Sequence, residues 1–126
     1  MLGIEKNFIW LDWLDDIEPL MAAADLFVSP SHSESFGLAM LDAMVAGVPV
    51  IATETVGARQ LITDLRALVR IKEPFGLAER IKEYLADATA REKLGSQQEK
   101  NSREMFSLPK MVDATEAVYL EVLRSR

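Results

Sequence analysis

Residues Ser29 to Thr53 read SPSHSESFGLAMLDAMVAGVPVIAT, and this stretch decides the fold. Apolar residues end at a Ser/Pro turn, a loop carries Glu34, Phe36-Gly37-Leu38 opens a helix, and Gly47 and Pro49 stop that helix before a second apolar run. Strand, glycine turn, helix and strand in that order form the unit of a parallel sheet with a loop at the strand ends.

Such a loop can hold an anion. Backbone N–H groups at a helix start have no intrahelical acceptor and lie at the positive end of the helix dipole, and Gly37 lets a ligand approach the backbone with no side chain in the way. A diphosphate fits that description. Ionised Glu34 can accept hydrogen bonds from sugar hydroxyls, and Asp42, in the second helical turn, can do the same for a ribose lying along the helix. Carboxylates beside a diphosphate cradle point to a nucleotide sugar.

Working outward, short apolar runs alternate with helical patterns, which predicts an α/β fold with a Rossmann-like parallel sheet. Four strands are expected, over Phe8–Leu11, Leu26–Ser29, Pro49–Ala52 and Leu68–Ile71, with the middle two buried on both faces. Helices are expected over Ile17–Ala24, Leu38–Ala46 and Ala58–Ile62. A helical C-terminal segment follows. It comprises Leu77–Ala86, a mostly polar and exposed Thr89–Met105, and a final helix that Ser107 can cap and that runs from Leu108-Pro109 to about Leu123.

The residues P-S-x-x-E-x-F-G-L, an acidic residue eight positions after the first Glu, and A-x-x-x-G-x-P-V-I-A-T resemble the C-terminal half of GT-B glycosyltransferases of the retaining, group 1 (family 4) type. The likeness extends from FIWLDWLDD, near Phe8, through ADLFVSPS to FSLPKMV, so it covers nearly all of residues 1–126. It implies a partial C-terminal donor-binding domain, transferring a glycosyl unit from a nucleoside diphosphate sugar to an acceptor hydroxyl with retention. By resemblance Glu34 contacts the donor sugar as the catalytic-site carboxylate, the amides of Phe36, Gly37 and Leu38 hold the distal phosphate with the Ser35 hydroxyl beside them, and Asp42 holds the ribose. No metal and no cofactor beyond the donor substrate is implied.

The chain departs from the family pattern at three places. Asp42 stands for a Glu, shortening its reach by one methylene, about 1.5 Å. Asp12 stands for a Gly near the expected base, and Val56 and Gln60 replace a Gly and an acidic residue after the third apolar run. The family's two upstream strands, its phosphate-neutralising Arg and Lys, and its acceptor-binding N-terminal domain have no counterpart in this sequence. The isolated chain is therefore expected to be inactive and to need a missing N-terminal half or a partner chain. Two other readings are a nucleotide-binding half of a split enzyme and a degenerate, non-catalytic interaction module.

With 126 residues, 49% of them hydrophobic and 27% charged, the chain can bury one core. Fourteen basic against twenty acidic residues leave a net charge of −6, which argues against a nucleic-acid surface. There is no cysteine, no run long and apolar enough for a transmembrane segment and no signal-like start, so a cytoplasmic location is expected. His32 is the single histidine and has no Asp or Ser pattern to make a triad. Ser31, Ser33 and Ser35 read as turn and capping residues, Trp13 as an anchor of its loop to the core or a flank of the base pocket, and Glu54 and Thr55 lie at a strand end where α/β sites gather.

Two mechanical expectations follow. A β-carbon at Gly37 should obstruct a phosphate while leaving the fold largely intact. Leu26–Ser29, having lost a neighbouring strand, should pair with Phe8–Leu11, or the chain should exchange elements with a second copy and form a homodimer or aggregate.

Overall fold

A computed structural model describes residues 3–125. Three parallel strands, β1 (Phe27–Ser29), β2 (Val50–Thr53) and β3 (Leu68–Val69), form one sheet in the order β1-β2-β3. Phe27 lies opposite Val50 and Ala52 opposite Leu68. Six α-helices accompany them: α1 (Glu18–Ala22), α2 (Leu38–Val45), α3 (Val56–Leu61), α4 (Pro74–Ala86), α5 (Ala88–Met105) and α6 (Leu108–Arg124). The Rossmann-like parallel sheet and the helical C-terminal segment are those expected from the sequence.

Glycine sets both ends of α2. Gly37 sits at φ +97°, a left-handed conformation outside the helical region, so the helix begins at Leu38. At the other end the Gly47 N–H donates to Met44 C=O and the Val48 N–H to Ala43 C=O, both at 3.0 Å. Gly47 has φ +77°. This pair of bonds is a Schellman motif, and it turns the chain directly into the apolar residues of β2.

All four residues of β2 are buried, and the core gathers around them from Met40, Ala43 and Met44 of α2 and from Ala58 and Leu61 of α3, with Ile62 just after it. β1 is only half-buried. The sequence predicted burial on both of its faces, which the structure does not show, and an edge left by a missing neighbour, which it does: among the described residues β1 pairs with β2 alone.

Phe8–Leu11 is not a strand. It is irregular and exposed, Trp10 to 88% of its surface, and the rings of Phe8 and Trp10 stack on each other at 5.9 Å. The expected pairing onto β1 does not form. A strand is stabilised by its neighbour, and no described residue supplies one here.

The fifth helix corrects a second expectation. It is largely polar, yet Leu94, Gly95, Gln98 and Ser102 are buried on one face. A β-carbon on Gly95 would overlap the Gly47 carbonyl oxygen, so glycine is what allows α5 to lie against the turn entering β2. The Gln98 side-chain amide accepts from the Val50 N–H at 2.7 Å and donates to the Val50 C=O at 3.0 Å. It supplies what a longer β3 would supply, because β3 pairs with β2 only at Ala52 and Thr53. Gln98→Leu keeps the apolar volume but strands two buried backbone groups, and should lower the unfolding free energy by about 2–4 kcal/mol, read from the urea midpoint. A midpoint equal to that of the unaltered chain would show that Val50 finds other partners.

Asp64 receives a forked pair of bonds from Arg66, at 3.0 Å and 2.6 Å. The guanidinium holds the Asp64 carboxyl below its ordinary value of 3.8. A depressed carboxylate contributes stability that is fully present above its unfolded value and is lost as pH falls through the lower folded value. Asp64→Asn should thus lower the urea midpoint at neutral pH, and the difference should shrink as pH falls below 3.8 through the lower folded value.

Candidate functional site

Thr53, at the end of β2, pins the loop that follows β1. Its hydroxyl donates to the carbonyls of Ser29, at 3.2 Å, and Ser31. Farther along, the Gly57 N–H donates to the Glu34 C=O at 2.8 Å. A β-carbon on Gly57 would stand 2.6 Å from the Phe36 carbonyl carbon and 2.7 Å from its Cα, so the first turn of α3 lies directly against the site loop. The Phe36 ring meets Phe106, at the end of α5, edge to face at 5.5 Å. Residues of β2, α3 and the end of α5 hold this loop in place.

The helix start it presents is bare. No side chain caps α2, its first described backbone bond runs from the Leu41 N–H to the Gly37 C=O at 3.1 Å, and Leu38 and Ala39 are exposed. Ser35, exposed beside it, does not cap the helix. Glu34 is half-buried and makes no ion pair among the described residues. Its Cγ lies 3.3 Å from where a Gly37 β-carbon would be, and that carbon would overlap the Met40 methyl group and approach Leu61. Glycine at 37 is thus favoured by its positive φ and, to the extent that the flexible Met40 side chain must move aside, by packing. The sequence expectation that a side chain there would disturb a phosphate alone does not fit this geometry.

Asp42 stands apart. It is exposed on α2 and lines a separate open cleft of about 640 Å³ with Asp15, Asp16, Glu18 and Arg103. Asp16 is committed to the Glu18 N–H at 2.9 Å, and Asp15 to the Trp13 indole at 3.2 Å. Trp13 is 89% exposed and does not anchor its loop to the core. The strand-end candidates are also engaged: Glu54 pairs with Arg59 at 2.7 Å, and Thr55 caps α3 by accepting from the Ala58 N–H at 3.2 Å. His32 is exposed at a second cleft at the strand ends.

Thr53, Gly57 and Phe106 were not singled out from the sequence as site residues. A glycine four residues past Thr53 is the only local signal for Gly57. Thr53 and Phe106 act through segments far from them in the chain, which no local pattern registers. Among the described residues no helix is long and apolar enough to cross a membrane.

The chain matches the family described as glycosyl transferases group 1 over residues 1–101. It is 33% identical over 125 residues to N-acetyl-alpha-D-glucosaminyl L-malate synthase of Bacillus anthracis, a match covering 98% of this chain and 33% of that protein. It is 33% identical over 114 residues to lipopolysaccharide glucosyltransferase WaaG of Escherichia coli, covering 86% of this chain and 30% of that one. Among solved structures, sucrose-phosphate synthase from Thermosynechococcus elongatus superposes with a TM-score of 0.80 at 27% identity, over 87% of this chain and 28% of that one. The chain spans about a third of the length of the curated relatives it matches.

Proposed function

Because the chain belongs to the group 1 glycosyltransferases, we propose that it is the donor-binding part of an enzyme that moves a glycosyl unit from a nucleoside diphosphate sugar to an acceptor hydroxyl with retention at the anomeric carbon. The observation that carries this reading is the uncapped start of α2, with Gly37 at φ +97° and the Glu34 side chain against it. Breaking the anomeric C–O bond places negative charge on the departing diphosphate. The N–H groups of Phe36, Gly37 and Leu38, with Ser35 beside them, would stabilise that charge, and the positive end of the α2 dipole would add to it. Glu34 would accept hydrogen bonds from the donor sugar and orient it. Asp42, about one turn farther along α2, would meet the ribose.

Basic groups for the diphosphate and a surface for the acceptor would come from an N-terminal half or a partner chain. The open edge of β1 and the exposed apolar side chains of Phe8–Leu11, Trp13 and Leu14 favour such a partner, since both offer what a covering strand or helix would bury. In this reading the isolated chain binds a nucleoside diphosphate weakly and turns over no nucleotide sugar. Calorimetry with UDP, GDP and ADP against the chain tests the binding. In the completed enzyme, Glu34→Gln should reduce use of the sugar nucleotide at least tenfold while changing affinity for the free nucleotide less than about twofold. Equal losses in both would remove Glu34 from the sugar and sink the division of roles.

A further inference from the structure

We propose that the second cleft at the strand ends, on the side of α4, is a subsite for a polyhydroxylated ring, a sugar or cyclitol unit separate from the donor, held by His32, Lys72 and Glu73. The cleft has a volume of about 360 Å³ and is lined from all three strand ends: Pro30 and His32 after β1, Thr53 of β2, and Lys72, Glu73, Pro74 and Leu77 after β3. Neither Glu34 nor Phe36, Gly37 or Leu38 lines it, so it is distinct from the start of α2.

Its composition selects a ring with two chemical faces. Pro30, Pro74 and Leu77 give an apolar floor for C–H groups, and the Thr53 hydroxyl is already spent on the carbonyls of Ser29 and Ser31. Three polar side chains are left at the rim. Among the described residues Lys72 and Glu73 make no ion pair, the Glu73 carboxylate does not cap α4, and no side-chain hydrogen bond engages His32. An ammonium and an imidazole can donate to hydroxyl oxygens while a carboxylate accepts their protons. Donors and an acceptor around an apolar floor suit a sugar or cyclitol better than a bare anion, which Glu73 would repel.

Lys72 is also the one non-glycine residue with positive φ among those described, at +65°. A glycine would adopt that conformation at less cost, so replacement by glycine separates binding from folding. In Lys72→Gly the amine is lost while the urea midpoint should rise.

The test is amide-resolved NMR of the full chain titrated with methyl α-D-glucopyranoside and, separately, with UDP. The sugar should give saturable shifts at His32, Lys72, Glu73 and Leu77. Lys72→Gly and Glu73→Gln should each weaken it about fivefold, the loss expected for one hydrogen bond, and leave UDP shifts at Leu38 and Ala39 unchanged. Sugar shifts confined to residues 34–38, no saturable shift at the cleft, or unaltered sugar affinity in Lys72→Gly would each overturn the proposal. If UDP fails to move Leu38 and Ala39 while the sugar still moves the cleft, the donor reading falls and the polyol subsite stands.

Discussion

Gly57→Ala is expected to unseat the site loop and to cost about 3 kcal/mol of stability, the upper part of the usual range for forcing an atom into packed structure. The added methyl would overlap the Phe36 carbonyl group, which is backbone and has no rotamer to retreat into. Either α3 or the loop must move, and the bond from the Gly57 N–H to the Glu34 C=O is broken in the process. Because the loop leads straight into the start of α2, nucleoside diphosphate affinity should fall along with the urea midpoint. Measuring both decides the matter. A variant that binds and unfolds like the unaltered chain would show that α3 does not brace the loop.

The second large effect belongs to Gly37→Val, and it should appear as lost stability rather than as lost binding alone. A left-handed conformation costs an ordinary residue about 1–2 kcal/mol, and a β-branched side chain is the least suited to it. The valine would also press on the Met40 methyl group, the Glu34 side chain and Leu61. Together these should remove about 3 kcal/mol. Gly37→Asn separates the two causes, since asparagine tolerates positive φ while still carrying a β-carbon. Asparagine should recover at least half of the loss if the backbone conformation dominates, because the Met40 methyl lies at the end of a flexible chain and can swing away. Urea midpoints as low for asparagine as for valine would place the cost in packing instead.

Some of the molecule was legible in the residues themselves. The helix between Gly37 and Gly47, the apolar run of β2, and Pro109 just inside the start of α6 are local signals, carried by backbone restriction and side-chain period within a few residues. The bare start of α2 is of the same kind, since Gly37 sets it without help from elsewhere. Gln98 was not legible. In sequence it is one polar residue in a polar helix, and only the shortness of β3 leaves the Val50 groups for it to complete.

Phe8–Leu11 shows where local reading ends. Four apolar residues in a row have the composition of a buried strand, but a strand needs a neighbour for its N–H and C=O groups, and the sheet stops at β1. The same missing neighbour leaves β1 half-buried where its composition predicted burial on both faces. Asp42 and Glu34 are eight residues apart in a shared motif, yet the course of α1 and α5 gives Asp42 a cleft of its own. By itself the sequence determined the three strands of the sheet and the helices that follow them, and that one loop could meet an anion, because dihedral restriction and hydrophobic period act over one or two turns. Tertiary structure alone decided that Phe8–Leu11 does not pair with the edge strand, what braces the site loop and which carboxylates share a cleft, because pairing and burial depend on segments brought together from far along the chain.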